Sequence, residues 1–158
     1  MRIFNFRIGN NGAGKTTAVK ILSTLLIPTS GRAYVNGFDV VKEPDKVRRD
    51  IGVAIESERT MYWRLTGKEN LLRFAVLYHL PRATARRRVD EVLKELNLYD
   101  DRNRRVGSYS HGMRVKLAFA RALLPEPSVL LLDEPWAGLD PEAGIEIMYL
   151  IRNSVHFT

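Results

Sequence analysis

Cysteine is absent from the 158-residue chain, which excludes disulfides and cysteine-ligated zinc. Histidine is almost as scarce. His79, His111 and His156 stand among residues that complete no metal set, so each is expected to be a surface or packing residue. No apolar run is long enough to span a bilayer, and the apolar block in the opening M-R-I-F-N-F-R-I-G is too short and interrupted for a secretory signal. The cytoplasm is therefore the expected compartment. Internal repeats, low-complexity tracts and linker-like stretches are also missing, which points to one domain over residues 1–158. The composition, 45% hydrophobic and 27% charged, supports a packed core and excludes disordered or collagen-like classes. The formal charge of +7 fits a nucleic-acid partner, anionic headgroups or plain solubility, and decides among none of them.

Against that background one stretch stands out: Gly-Asn-Asn-Gly-Ala-Gly-Lys-Thr-Thr at 9–17, which satisfies G-x-x-x-x-G-K-[ST], the P-loop pattern. A strand candidate at 3–8 precedes it and a helical run at 15–27 follows it, the context that gives the motif its meaning. Phosphate oxygens need several inward-pointing donors on a tightly wrapped backbone. Gly9, Gly12 and Gly14 permit the positive-φ turns and close approach that a Cβ would block, while Asn11 and Ala13 complete the loop. The free N–H groups and dipole of the helix favour the β-phosphate, Lys15 adds a point charge over the β/γ-phosphates, and the Thr16 hydroxyl can take a Mg²⁺ position. Thr17 offers one more donor.

Further along, Arg32 to Asn36 reads as a short strand turning at Asn36-Gly37, Pro44 opens a short helix, and Ile51-Gly52-Val53-Ala54-Ile55 reads as a buried strand. Thr66 with Glu69 three positions on makes a capping box for a helix ending near Pro81. A second helix over 82–98 carries Val89, Val92, Leu93 and Leu96 on one face. Arg86, Arg87, Arg88 and Lys94 lie off it, on an expected solvated face. Ser110 occupies an N-cap position before a helix halted by Pro125 and Pro127. Val129-Leu130-Leu131-Leu132 is a second buried strand, and a last helix begins near Pro141. That second strand ends in Asp133-Glu134, two carboxylates delivered to the sheet edge where ligands of open α/β folds collect. One acid is needed to hold Mg²⁺ through its waters, and the other can polarise a water for attack on the γ-phosphate.

With these residues in view, the chain resembles the nucleotide-binding domain of ATP-binding cassette (ABC) proteins. The resemblance rests on GNNGAGKTT at 9–17, on Tyr109-Ser110-His111-Gly112-Met113 followed by R-V-K-L-A-F-A-R-A-L-L, on the Walker B run V-L-L-L-D-E-P, and on Ala137-Gly138-Leu139-Asp140-Pro141, similar to the D-loop. It implies an α/β P-loop NTPase of the ABC ATPase type, with a mostly parallel core sheet and a helical insert at about 66–98. By the same resemblance Glu134 is the catalytic glutamate and Asp133 the Mg²⁺-associated aspartate. Ser110 and Gly112 belong to a signature (109–113) that reaches the γ-phosphate of ATP held by a second cassette. Asp140 communicates between the two sites. The implied ligand is ATP with Mg²⁺; the implied partners are a second ABC ATPase domain, identical or different, and membrane-spanning transporter subunits, which place the protein on the inner face of the cell membrane. No nucleic-acid partner is expected.

Several positions depart from the family pattern. Glu56 stands where the Q-loop glutamine is usual, still an oxygen ligand for Mg²⁺ but adding negative charge near the triphosphate. His111 replaces a common glycine, Met113 a common glutamine, and Trp136 a small or polar residue. An N-terminal β-subdomain with an adenine-stacking aromatic residue is not legible, nor is a later strand leading to the H-loop histidine, so the chain reads as a cassette truncated at both ends. In the family that strand lies between the P-loop and Walker B strands. Residues 3–8 and 129–132 are accordingly expected to lack a neighbour, leaving the chain prone to aggregation with little turnover. A cassette that binds nucleotide without turnover, and a soluble ABC ATPase acting on DNA or ribosomes, are the alternatives. The latter class carries long coiled coils or two cassettes per chain, and neither is present here.

Overall fold

The computed structural model describes residues 2–5, 14–54, 61–132 and 138–154, with only the backbone described for 2–5 and 151–154. Its centre is a parallel three-stranded sheet in the order β1 (Arg2–Asn5), β5 (Val129–Leu132), β4 (Ile51–Ala54). Unbroken apolar runs form β4 and β5 because both sheet faces are covered, which removes any need for polar alternation. All four residues of β5 are buried, and they divide between two cores: Leu130 and Leu132 pack on one side, Val129 and Leu131 on the other.

The sheet corrects one expectation. β1 pairs directly with β5, Arg2 opposite Val129 through Asn5 opposite Leu132, with no strand between them. Parallel hydrogen bonding between the two segments themselves supplies the backbone partners that the missing neighbour was expected to provide. The ground for anticipating unpaired backbone between 2–5 and 129–132 is thereby removed, while residues 6–8 of the expected strand lie outside the described ones.

On the Val129/Leu131 side lie α1 (Lys15–Leu22), the hairpin of β2 (Tyr34–Val35) and β3 (Phe38–Asp39), and α2 (Pro44–Asp50), with Val19, Val35, Val40 and Val47 closing the smaller core. The hairpin turns on Asn36 and Gly37, both at positive φ (49° and 85°), the conformation that matches strand twist in a two-residue turn. Helix α1 is shorter than the expected 15–27. Thr24 at φ 61° ends it: its N–H donates to the Ile21 carbonyl at 3.0 Å, and that of Leu25 to Lys20 at 2.8 Å.

The opposite side holds the larger core and three helices, α3 (Gly67–Leu77), α4 (Arg82–Glu95) and α5 (His111–Leu123), while α6 (Pro141–Ser154) adds Ile147 to that core. Gly52 lets α5 press onto β4, since a Cβ there would lie 2.2 Å from the Ala122 carbonyl oxygen. The Thr66/Glu69 capping box forms as its spacing predicts. Hydrogen bonds from the Thr66 backbone N–H and then its hydroxyl hold the Glu69 carboxyl below the usual glutamate range, so the box weakens only as the pH falls through that lowered value. Asn70, fully buried, accepts from the Tyr62 N–H at 2.9 Å and donates to the Tyr62 and Thr66 carbonyls at 3.0 Å, tying the preceding loop to α3.

On α4 the apolar face is as expected, with Val89, Val92 and Leu93 fully buried and Leu96 following at its C-cap. One of the arginines needs correction. Arg86 and Arg87 are exposed, but the Arg88 side chain is only 13% exposed, with Glu91 at 3.1 Å, Glu95 at 3.2 Å and Glu126 at 3.3 Å. It also donates to the Leu123 carbonyl at 3.2 Å. Helical spacing to Glu91 and Glu95, plus the negative C-terminal end of α5, draws this arginine inward.

Candidate functional site

The strand registers set the site. Asn5, Leu132 and Ala54 are the last residues of β1, β5 and β4, and the pairings place them side by side at one edge of the sheet. In sequence these three aligned residues lead to the segments carrying Gly9, Asn11, Gly12 and Ala13, the pair Asp133 and Glu134, and Glu56. Those site residues themselves lie outside the described ones. The edge is the carboxyl edge of a parallel sheet, where the strand ends and the N-termini of following helices converge.

Gly14 has a left-handed backbone (φ 80°, ψ 11°), and its carbonyl accepts the Ala18 N–H at 2.9 Å, opening α1. A left-handed residue at that point is what glycine supplies without strain. Lys15 and Thr16 are half-buried and Thr17 is exposed. The first turn of α1 carries no acidic side chain, so nothing in it opposes the helix's positive end. A helix start with a lysine, a threonine hydroxyl and no acidic side chain in its own first turn suits a phosphate group and a hard cation with oxygen ligands.

Ser110 is the N-cap of α5, as its sequence position predicts: its backbone is extended and its Oγ accepts the Met113 N–H at 3.2 Å. Among the described residues, a Cβ at Gly112 would meet only Leu139 Cδ2 at 3.9 Å and Ser110 Oγ at 4.0 Å. Gly138 is left-handed at φ 77°, and its Cβ position would lie 3.4 Å from His111 Nε2. The first turn of α5 thus rests against 138–139. Asp140 caps the next helix, its Oδ1 accepting the Ala143 N–H at 2.9 Å. Lys116 on α5 meets Glu146 on α6 at 2.7 Å and joins the two helices further along.

Helices α1 and α5 sit on opposite faces of β5: Val19 belongs to the Val129/Leu131 core, whereas Val115 and Leu117 belong to the Leu130/Leu132 core. The structure therefore brings Ser110 and Gly112 together with residues 138–139, and sets them across the sheet from the helix that Lys15 opens. Sequence reasoning gave no separate role to two residues that brace this arrangement. Tyr109 is buried just before Ser110. Arg121 is buried on α5, its guanidinium 5.0 Å from the Phe74 ring centre, one Nη donating to the Val53 carbonyl at 3.5 Å. Desolvation lowers the Arg121 pKa from its ordinary value and raises that of the neighbouring Tyr78. Periodicity could have placed Arg121 among buried residues of α5, but Tyr109 leaves no such signal.

A parallel sheet, a glycine-opened helix after its first strand and a separate helical layer define the P-loop α/β class with a helical subdomain. Solved structures of that kind match it. Over 93% of this chain and 60% of the other, it superposes on cbiO1 from Clostridium perfringens, described as part of the ABC transporter complex cbiONQ, with TM-score 0.80 and 31% identity. It superposes on the dimeric structure of MJ0796, a bacterial ABC transporter cassette, with TM-score 0.77 and 29% identity over 92% of this chain and 66% of that one.

The chain belongs to the ABC transporter family, whose family model matches residues 6–137. It is 47% identical to the ABC transporter ATP-binding protein NatA of Bacillus subtilis over 84% of this chain and 54% of that protein. It is 45% identical to the daunorubicin resistance ATP-binding protein DrrA3 of Streptomyces coeruleorubidus over 94% of this chain and 46% of that protein. The chain spans about half the length of these curated relatives. Among the described residues no helix is long and apolar enough to cross a membrane.

Proposed function

We propose that the chain is an ATP-binding subunit of a membrane ABC transporter, binding and hydrolysing Mg-ATP in a nucleotide-sandwich dimer to drive substrate transport. What supports this reading is the parallel register that aligns Asn5, Leu132 and Ala54, the residues that in sequence lead to the P-loop, to the Asp133-Glu134 pair and to Glu56. Lys15 and the N–H groups opening α1 neutralise the β- and γ-phosphates. Thr16, Asp133 and Glu56 are the candidate holders of Mg²⁺, which when bound screens the charge on the phosphate oxygens. Glu134 accepts the proton of the water that attacks the γ-phosphorus, and ADP leaves with the electrons of the broken P–O bond.

The separation of α1 and α5 across the sheet favours the sandwich. Ser110 serves ATP held by a second copy or a related cassette, and Asp140, next to 138–139, links the two sites. Exposed Tyr62, Trp63, Val76 and Leu77, in α3 and the loop before it, are the candidate contact with membrane-spanning subunits, which would hold the protein at the inner membrane face.

Competition against a fluorescent ATP analogue tests the nucleotide site. With Mg²⁺ present, ATP and ADP should displace the analogue at least about tenfold more tightly than AMP, because the loop and helix start engage the β-phosphate. Equal displacement by AMP would contradict the assignment.

A further inference from the structure

We propose that Tyr109 is a positioning residue for Ser110, its hydroxyl latching the stretch that enters α5 onto the start of α3 and the turn at Asp101. The role of Ser110 toward a second nucleotide is taken from the function proposed above; the latch itself rests on contacts within one chain.

Tyr109 is 3% exposed, and its hydroxyl donates to the Asp101 carbonyl at 2.9 Å. The fit is close on the other side. Gly67, first residue of α3, would place a Cβ 2.2 Å from the Tyr109 hydroxyl oxygen, so any other residue there would displace it. Burial, and then the nearby Asp101 carboxylate, push the phenol up to about 12, so it remains a donor through neutral pH.

The backbone on either side is held in the same place. Gly67 and Lys68 donate to the Arg104 and Arg102 carbonyls at 3.2 and 2.9 Å; Val106 and Gly107 donate to Leu65 and Trp63 at 2.9 and 3.0 Å. Arg114, one turn into α5, donates to the Tyr109 carbonyl while its guanidinium lies 5.2 Å from the Trp63 ring centre. The exposed Ser110 follows this anchored residue directly, so its placement against a phosphate is set by the helical layer to which Tyr109 is fastened. The hydroxyl matters because an aliphatic or phenyl side chain fills the same pocket without reaching Asp101.

Tyr109→Phe keeps the ring and removes only the latch. In the nucleotide-free protein, amide hydrogen exchange over 108–113 should rise about fivefold, the worth of one hydrogen bond, with the rest of α5 and the sheet unchanged. In a Glu134→Gln background, the ATP concentration for half-maximal dimerisation should rise by a similar factor of about five, while ATP affinity of the monomer is unaltered. Gly67→Ala should reproduce both effects by displacing the hydroxyl, and the two substitutions together should do little more than either alone, because they delete one contact.

Exchange that rises uniformly across the chain, additive effects of the pair, or an unmoved dimerisation midpoint would overturn the latch. If the Glu134→Gln parent fails to dimerise with ATP, the sandwich reading falls; the exchange pattern over 108–113 then decides the latch by itself.

Discussion

Glu134→Gln should leave Mg-ATP affinity within about twofold and lower phosphate release by about 10²–10⁴-fold, the usual worth of a positioned general base. Glutamine keeps the shape of the side chain and removes its ability to accept a proton, so the loss falls on the transition state. Lys15→Ala should do the reverse to binding. In the proposed site it removes a charge that meets phosphate oxygens in the ground state, so affinity should fall by roughly 30-fold or more, about 2 kcal/mol for a charge-assisted hydrogen bond. Nucleotide titrations beside phosphate release separate the two. Equal losses of affinity in both variants would contradict the division of roles.

Ser110→Arg should abolish ATP-dependent dimerisation while the monomer still binds nucleotide. Ser110 is exposed and caps α5 through the Met113 N–H, so the substitution costs about 1 kcal/mol of helix stability and leaves both cores intact. In the proposed site, binding by the monomer rests on the start of α1, which packs in the core on the other face of β5, so it should not feel the change. Closure on a second nucleotide needs the serine oxygen and the helix start unobstructed, and a long guanidinium side chain occupies that space. Dimers persisting in a Glu134→Gln, Ser110→Arg double variant would remove Ser110 from the interface.

Legibility in the sequence followed the range of the interaction. The Thr66/Glu69 box, the Ser110 cap and the Asn36-Gly37 turn each have both partners within a few residues, so spacing alone announces them. Helix ends were harder to read. Thr24, His79 and Asn97 each adopt positive φ after α1, α3 and α4, where glycine would have been the visible marker, and hydrogen bonds back into each helix hold them there.

Contacts between distant segments left no local pattern. Arg88 reads as one of three surface arginines until α5 brings the Leu123 carbonyl within reach, and the Tyr109 hydroxyl finds Asp101 only once the chain folds back. The pairing of β1 with β5 is of the same kind, joining segments at opposite ends of the sequence. On the candidate site, the glycine pattern and strand-terminal acids were readable because phosphate chemistry restricts the residues that can serve it. The opposite-face relation of α1 and α5, which favours a second cassette, came from the alternation of β5 residues between two cores.

In the proposed function, two copies or related cassettes close on ATP through Lys15 of one and Ser110 of the other. Light scattering of the Glu134→Gln protein, with and without saturating Mg-ATP, tests it most directly. The mass should double with Mg-ATP and return to that of one chain when the metal is chelated. A protein that demonstrably binds Mg-ATP and stays at the mass of a single chain would contradict it for the homodimer, and the same result after mixing with a partner cassette would contradict it altogether.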